Sequence, residues 1–201
     1  EYVIVGAHFD HLGVDETLAN DRIYNGADDN ASGVSAVLQI ARAFLATGQK
    51  PLRTVIFAFW DGEEKGLLGS KYFVQSCPFI SQVKGYLNFD MIGRNNKPSS
   101  LNTLSTSTPP PTPYSALAEA GHCTLQLAPA TGLPRLGPPH GGSDMHSFAC
   151  ATSPIIWYHT DGHPDYHQPS DHTDRLNWEK MIEITKAAFL NAWNLANENK
   201  Y

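Results

Sequence analysis

The stretch VIFAFWDGEE, residues 55–64, decides the fold predicted for this chain. Its first part is a run of β-branched and aromatic residues, which is typical of a buried strand. Gly62 ends the strand, and two adjacent carboxylates, Glu63 and Glu64, follow where the chain turns. An isolated pair of this kind is more often a solvated acidic turn. In a partly buried site the two charges would raise each other's pKa, so the pair favours a metal that neutralises one carboxylate while the other moves protons.

Other apolar runs end in polar side chains in the same way. They are residues 2–7 before His8 and Asp10, and residues 155–158 before His159. Residues 83–89, predicted as a further strand although they include Lys84 and Asn88, end in the same way at Asp90. Three- and four-residue spacing of apolar side chains predicts helices at residues 34–45, 69–76 and 177–199. Alternating strands and helices predict a three-layer α/β/α domain with a mostly parallel mixed sheet, whose strand ends gather along one rim.

The remaining segments are less regular. Residues 11–25 form a polar stretch without periodicity, and residues 95–113 and 132–142 are predicted loops rich in proline. A short helix at residues 114–120 and a strand at residues 124–127 are expected between those loops.

Composition bounds the function. The 201 residues fit one domain, and the net charge of −6 disfavours nucleic acid or an anionic membrane surface as partner. No apolar run approaches the ~20 residues that a membrane span needs. Three cysteines, Cys77, Cys123 and Cys150, are too few for a disulfide framework or a zinc finger, although one bridge with a spare thiol stays open.

Five polar clusters follow strands or precede a helix, and together they favour metal catalysis. They are His8 with Asp10, Asp28 with Asp29, Glu63 with Glu64, Asp90, and His167. Asp29 alone could be a helix cap, but two acids and Asn30 are more than a cap needs. Imidazole and carboxylate ligands without cysteine suit catalytic zinc, manganese or cobalt. The number of candidate ligands exceeds what one ion needs and fits two ions that share a bridging carboxylate.

The chain resembles the co-catalytic di-zinc peptidases, the family that includes the aminopeptidase S and aminopeptidase Y types and glutamate carboxypeptidase. The similar motifs occur in the family's order: GAHFDH (6–11), NGADDNASG (25–33), FWDGEEKGLLGS (59–70), LNFDMIGR (87–94) and HPDYHQPSD (163–171). One such motif would be weak, whereas five in order are highly specific.

The resemblance implies a role for each matching residue. Two Zn²⁺, replaceable by Co²⁺ or Mn²⁺, would be held by His8 and Asp90, by Glu64 and His167, and by Asp29 as the bridge. Glu63 would be the general base, Tyr166 would donate to the developing oxyanion, and Asp10 and Asp171 would support the ligands. A cis peptide is implied between Asp29 and Asn30. The loop SDMH (143–146) has one residue more than the family's Ser-Asp-His, which leaves the role of His146 open and Asp144 as a candidate substrate contact.

These roles imply an aminopeptidase that acts on peptides with a free N-terminus, in an extracellular or periplasmic location. Residues 1–201 would be a single catalytic domain without the segment that precedes the family's first motif. The alternatives are a glutaminyl cyclase-like acyltransferase with one zinc and a non-catalytic interaction domain on the same scaffold. Few strands precede residue 53, so an exposed sheet edge, and through it a homo-oligomer, is also expected.

Overall fold

A computed structural model describes residues 1–94, 105–106, 135–136, 142–151, 155–160 and 162–198. Its strands are β1 (Tyr2–His8), β2 (Gly13–Val14), β3 (Ile23–Tyr24), β4 (Thr54–Trp60), β5 (Val83–Phe89), β6 (Ser105–Thr106), β7 (Arg135–Leu136) and β8 (Ile155–Tyr158). Its helices are α1 (Gly33–Ala46), α2 (Leu68–Ser76), α3 (Met145–Cys150) and α4 (Trp178–Asn197). The long strands and helices predicted from the sequence are confirmed to within a few residues.

The central sheet has the strand order β4-β1-β5-β8, and every pairing in it is parallel. The predicted mostly parallel sheet is therefore confirmed. His8 pairs with Trp60 at the end of β1 and β4, and Phe89 pairs with Tyr158 at the end of β5 and β8. The residues that follow these strands therefore meet along one rim.

Helices cover both faces of this sheet, as the sequence predicts. The alternating side chains of β1 explain how, because Val3 and Val5 belong to the apolar core under α1 and α4, whereas Ile4 belongs to the core under α2 and α3. All three are fully buried, so each contributes roughly 1.5–3 kcal/mol of transfer free energy. A strand covered on both faces needs apolar residues at every position, which is why it is a continuous apolar run.

An irregular turn, Ala27–Ser32, leads into α1. Asp29 and Asn30 have non-helical backbone angles, and the peptide bond between them is cis, as the resemblance implied. The Asn30 side chain fixes this turn: its Oδ1 accepts from Gly33 N at 3.1 Å, and its Nδ2 donates to Phe89 O at 2.9 Å. The turn is thus held both to the start of α1 and to the end of β5.

Some segments differ from the prediction or were not assigned. The polar stretch 11–25 contains the short antiparallel pair β2–β3, and residues 145–150 form α3, for which no element was predicted. The predicted loops 95–113 and 132–142 each contain a two-residue strand, and these strands, β6 and β7, pair in parallel. The helix at 114–120 and the strand at 124–127 lie outside the described residues. In the part of the chain that the structure covers, no helix has the length and apolarity to cross a membrane.

Candidate metal centre

The five predicted metal ligands meet at the rim of the sheet. His8 is the last residue of β1, Glu64 follows β4, Asp90 follows β5, Asp29 lies in the turn before α1, and His167 lies in the loop between β8 and α4. These residues are distant along the chain. The parallel order of the strands brings them together, since the residues that follow parallel strands lie at the same edge.

Asp29 lies between two histidines, with one carboxylate oxygen directed to each. Its Oδ1 is 3.3 Å from His8 Nε2, and its Oδ2 is 3.2 Å from His167 Nε2. A second carboxylate accompanies each histidine: Asp90 Oδ1 is 3.7 Å from His8 Nε2, and Glu64 Oε2 is 3.0 Å from His167 Nε2. The arrangement has the form of two ligand sets joined by a bridging carboxylate.

The electrostatics of the centre show an excess of buried negative charge. Burial, followed by the charge of Asp90, raises the pKa of Glu63 to about 8. Burial by itself would lower the pKa of His8, but its hydrogen bonds to Asp29 and Asp90 outweigh burial and raise that pKa to about 12. A site that holds a proton on a buried histidine this strongly is suited to bind cations in its place.

The donor atoms also fit a metal geometrically. His8, Glu63 and Asp90 offer ligand atoms that all lie within 4.8 Å of one another, and so do His11, Asp29 and Glu64. His167 Nε2 is buried and has no hydrogen-bond partner among the described residues, although carboxylate oxygens surround it. A buried nitrogen lone pair among carboxylates is what a zinc or manganese ligand set provides.

Asp10 supports the centre in two ways. His8 Nδ1 is 3.2 Å from the backbone oxygen of Asp10 and 3.6 Å from its Oδ1, contacts that are compatible with the predicted role of Asp10 in orienting His8, which stays a prediction. Its carboxylate has a second task, because Oδ1 accepts from Glu63 N at 3.1 Å and Oδ2 accepts from Glu64 N at 3.3 Å. Asp10 therefore ties the end of β1 to the turn after β4.

Asp171 holds the backbone around Asp29 in a similar way. Its fully buried carboxylate accepts through Oδ2 from Asp28 N at 2.9 Å and from Asp29 N at 3.1 Å. Its backbone oxygen accepts from Ala27 N at 3.1 Å. The loop that carries His167 is thereby fastened to the turn that carries Asp29, while the supporting role expected of Asp171 stays a prediction.

A cavity of about 210 Å³ opens beside the carboxylates. It is lined by Asp29, Glu63, Asp90, Met91, Gly142, Trp157, His159, Gly162 and Tyr166. Tyr166 stacks on His167, with ring centroids 3.8 Å apart, and 44% of its surface is exposed. Burial and the nearby carboxylates, Asp29 first among them, raise the pKa of its phenol. The hydroxyl of Tyr166 therefore stays protonated, as a hydrogen-bond donor at this cavity needs to be.

Asp144 is not among the residues that line this cavity. It is fully buried, and burial raises its pKa to about 7 against the opposing effect of nearby Ser70. The substrate contact expected of Asp144 therefore stays a prediction. Its effect in the structure is electrostatic, because its charge helps to raise the pKa of Glu63.

Comparison with known proteins decides the family. Residues 1–191 match the model of peptidase family M28. The chain belongs to this family. The resemblance inferred from the motifs is thus confirmed at the level of the family.

Relatives within the M28 family align with parts of the chain. Leupeptin-inactivating enzyme 1 of Streptomyces exfoliatus is 48% identical over 73 residues, which are 35% of this chain and 17% of that protein. A glutamate carboxypeptidase 2 homologue of Caenorhabditis briggsae is 29% identical over 199 residues, covering 83% of this chain and 24% of that protein. The chain therefore spans a minor part of these relatives.

Solved structures give the same assignment. The LapA aminopeptidase of Legionella pneumophila is 28% identical, with a TM-score of 0.78 over 98% of this chain and 52% of that one. The zinc aminopeptidase BSAP of Bacillus subtilis is 21% identical and shares the fold, with a TM-score of 0.81 over 100% of this chain and 47% of that one. The fold of this chain is accordingly shared with solved aminopeptidase structures.

Two residues of this M28 centre were not among the predicted site residues. His11 donates through Nδ1 to Glu64 Oε1 at 2.8 Å, and His159 donates through Nδ1 to the backbone oxygen of Asp90 at 2.7 Å. His159 also stacks on Trp157, with centroids 4.5 Å apart, and lines the cavity. His159 directly follows the buried strand Ile155–Tyr158, and this position could have indicated it as a site residue. His11 is the last residue of the motif GAHFDH (6–11), but its partner Glu64 is 53 residues away in the sequence.

Proposed function

We propose that this M28 protein is a di-zinc aminopeptidase. His8 and Asp90 would hold one Zn²⁺, Glu64 and His167 would hold the other, and Asp29 would be the ligand shared by both. The observation that carries the proposal is the division of the Asp29 carboxylate, with Oδ1 toward His8 and Oδ2 toward His167. A ligand set built around one ion would not need a carboxylate placed between two histidines in this way.

The catalytic roles follow from the surroundings of each side chain. When bound, zinc lowers the pKa of a water molecule and polarises the substrate carbonyl. Glu63 lines the cavity and is the group placed to take the proton of that water and pass it to the leaving amine. Tyr166 lines the same cavity and keeps its proton, so it can donate a hydrogen bond to the oxyanion.

The charge of the cavity favours the N-terminus of a peptide over its C-terminus. The described residues that line it include the carboxylates of Asp29, Glu63 and Asp90 and include no lysine or arginine. The charges of Asp29 and Asp90 would be neutralised by bound zinc, so selectivity rests on the missing lysine or arginine: these described residues offer no cationic side chain to pair with the terminal carboxylate of a peptide. A free α-amine can instead bind metal or pair with a carboxylate.

A metal titration combined with a substrate comparison tests this function. The full chain should bind about two zinc ions and should hydrolyse fluorogenic aminoacyl amides, but not their N-acetylated forms. Co²⁺ or Mn²⁺ should restore activity after zinc is removed. One zinc with cyclisation of N-terminal glutamine would favour the acyltransferase alternative, and absence of metal binding would favour an interaction domain.

A further inference from the structure

His11 occupies a position next to the centre for which the proposed chemistry has no assigned use. It follows β1, and its side chain is 11% exposed. Its ring lies edge-on to His167, with centroids 5.8 Å apart, and to Tyr24, with centroids 6.5 Å apart. His11 is therefore enclosed by groups of the second ligand set, near Asp29 and Glu64.

The contacts of Glu64 show what His11 does. Glu64 Oε1 accepts from His11 Nδ1 at 2.8 Å, while Oε2 lies 3.0 Å from His167 Nε2. The carboxylate is thus fixed through one oxygen, and the other is directed to the ligand set. His11 Nδ1 is farther from the bridge, at 3.9 Å from Asp29 Oδ2. The short contact is the one to Glu64.

The packing of the ring supports a fixed orientation. Gly26 has a φ of 60°, and a Cβ placed there would lie 2.9 Å from both Cγ and Cδ2 of His11 and 2.4 Å from the backbone oxygen of Asp29. The ring therefore packs directly on the backbone of the residue that precedes the bridging turn, at a position where a larger residue would collide with it. Contact with Gly26 on one side and Glu64 on the other leaves the imidazole little freedom.

We propose that His11 is a positioning residue: its Nδ1–H holds Glu64 Oε1, so that Oε2 is presented to the second zinc. This inference rests on the proposed function and goes beyond it, since it assigns a residue outside the set of five ligands. Hydrogen bonds to ligating carboxylates typically change metal affinity by 10–100-fold when removed. A carboxylate already oriented also has less conformational freedom to lose on binding metal.

The test compares two substitutions of His11. His11→Ala removes the donor, so affinity for the second zinc, measured by competition with a chromophoric chelator, should fall by about 10–100-fold. His11→Asn places an amide donor close to the position of Nδ1 and should restore most of that affinity. His172→Ala is the matched control, because it removes an exposed imidazole that also pairs with a carboxylate, Asp21, at 3.0 Å. It should leave zinc affinity unchanged.

Cobalt absorption separates positioning from direct ligation. At saturating Co²⁺, His11→Ala should give the same visible spectrum as the unaltered chain, because the ligand atoms are the same. A spectrum with one nitrogen ligand fewer, or equal loss of affinity in His11→Ala and His11→Asn, would show that the imidazole itself binds metal and would overturn the proposal. Thermal unfolding of each metal-free variant establishes that it is folded.

The outcomes also separate this inference from the function on which it rests. If the unaltered chain binds no second zinc, the proposed function fails. If it binds two and hydrolyses aminoacyl amides while His11→Ala binds the second zinc equally tightly, the function stands and the inference about His11 is wrong.

Discussion

Glu63 and Glu64 are neighbours in the chain with different chemical surroundings. Glu64 is contacted by two imidazoles, His11 at 2.8 Å and His167 at 3.0 Å, which is the environment of a metal ligand. Glu63 lines the cavity, and burial together with the charge of Asp90 raises its pKa to about 8. A carboxylate whose proton is held near neutral pH is suited to general acid–base catalysis.

Paired substitutions distinguish the two glutamates. Glu63→Gln keeps the size of the side chain and removes its basicity, so metal content should be retained while kcat falls by roughly 10²–10⁴. Glu64→Gln removes a charged ligand, so metal content and activity should fall together, with partial recovery in excess zinc. Each variant serves as control for the other, and elemental analysis with steady-state kinetics measures both. Equal metal loss in the two variants would mean that the roles of Glu63 and Glu64 are wrong.

Tyr166 allows a test that does not disturb the ligands. Tyr166→Phe keeps the ring that stacks on His167 and removes the hydroxyl. If the hydroxyl donates to the oxyanion, kcat should fall by roughly 10²–10³, with KM and zinc content little changed. Tyr72→Phe, at an exposed tyrosine of α2, is the control. A raised KM with unchanged kcat would instead assign Tyr166 to substrate binding.

At the scale of elements, the loop of residues 162–172 is organised by Asp165. Asp165 accepts from Arg94 Nη2 through Oδ2 and from Ser170 Oγ at 2.7 Å through Oδ1. Burial by itself would raise the pKa of Asp165, but these hydrogen bonds outweigh it and the pKa is lowered. Since His167 lies in this loop with a φ of 55°, the geometry of a ligand depends on the loop remaining closed.

The lowered pKa of Asp165 gives a pH-dependent prediction. A carboxylate with a lower pKa in the folded state stabilises the fold above its unfolded pKa of about 3.9, and the stabilisation is lost as the pH falls through its folded pKa. Asp165→Asn should therefore lower the Tm of the metal-free protein at pH 7, and the difference from the unaltered chain should shrink as the pH falls below about 4. Asp174→Asn, at an exposed position of the next turn, should have little effect. A difference independent of pH would mean that the carboxylate charge is not what stabilises the loop.

The elements differ in how far their sequences predict them, for physical reasons. β5 and β8 have the predicted bounds, and β8 is a continuous apolar run before His159. β5, although it contains Lys84 and Asn88, is otherwise free of charged and amide side chains and is followed by Asp90. α3 has six residues, too few for a helical period to emerge, and its fully buried Met145 and Phe148 carry no local signal of that burial. Strand ends and motifs were enough to predict that the five candidate ligands lie together, whereas the contact of His11 with Glu64 spans 53 residues, which no local pattern encodes.

At the scale of the whole molecule, β4 forms one edge of the described sheet. Its outer side presents unpaired backbone groups in the residues that the structure covers, and a second strand can pair with such an edge. The expected homo-oligomer therefore stays a prediction: light scattering should give a multiple of the 22.0 kDa chain mass, and Phe57→Pro in β4 should shift it toward the monomer. Because a proline in β4 can also disrupt folding, circular dichroism must show that the Phe57→Pro variant is folded. A stable monomer of the unaltered chain at all concentrations would contradict self-association through this edge.

Metal removal should destabilise the whole fold, because the proposed ligands join parts of the chain that are far apart in sequence. These proposed ligands lie in or next to different elements, and without cations their carboxylates repel one another. They are His8, Asp29, Glu64, Asp90 and His167. A ligand that binds the folded state stabilises it by about 2.7 kcal/mol at a free concentration of one hundred times Kd. Chelation should accordingly lower the Tm by several degrees, and zinc should restore it, with two ions giving a larger effect than one.

Because metal must displace the proton held by His8, this stabilisation should weaken as the pH falls from 8 to 6. Calorimetry with and without chelator, with elemental analysis of each sample, measures the effect. An unchanged Tm after complete removal of bound metal would mean that the ions do not link these segments, and the five residues would then need another explanation for lying so close together.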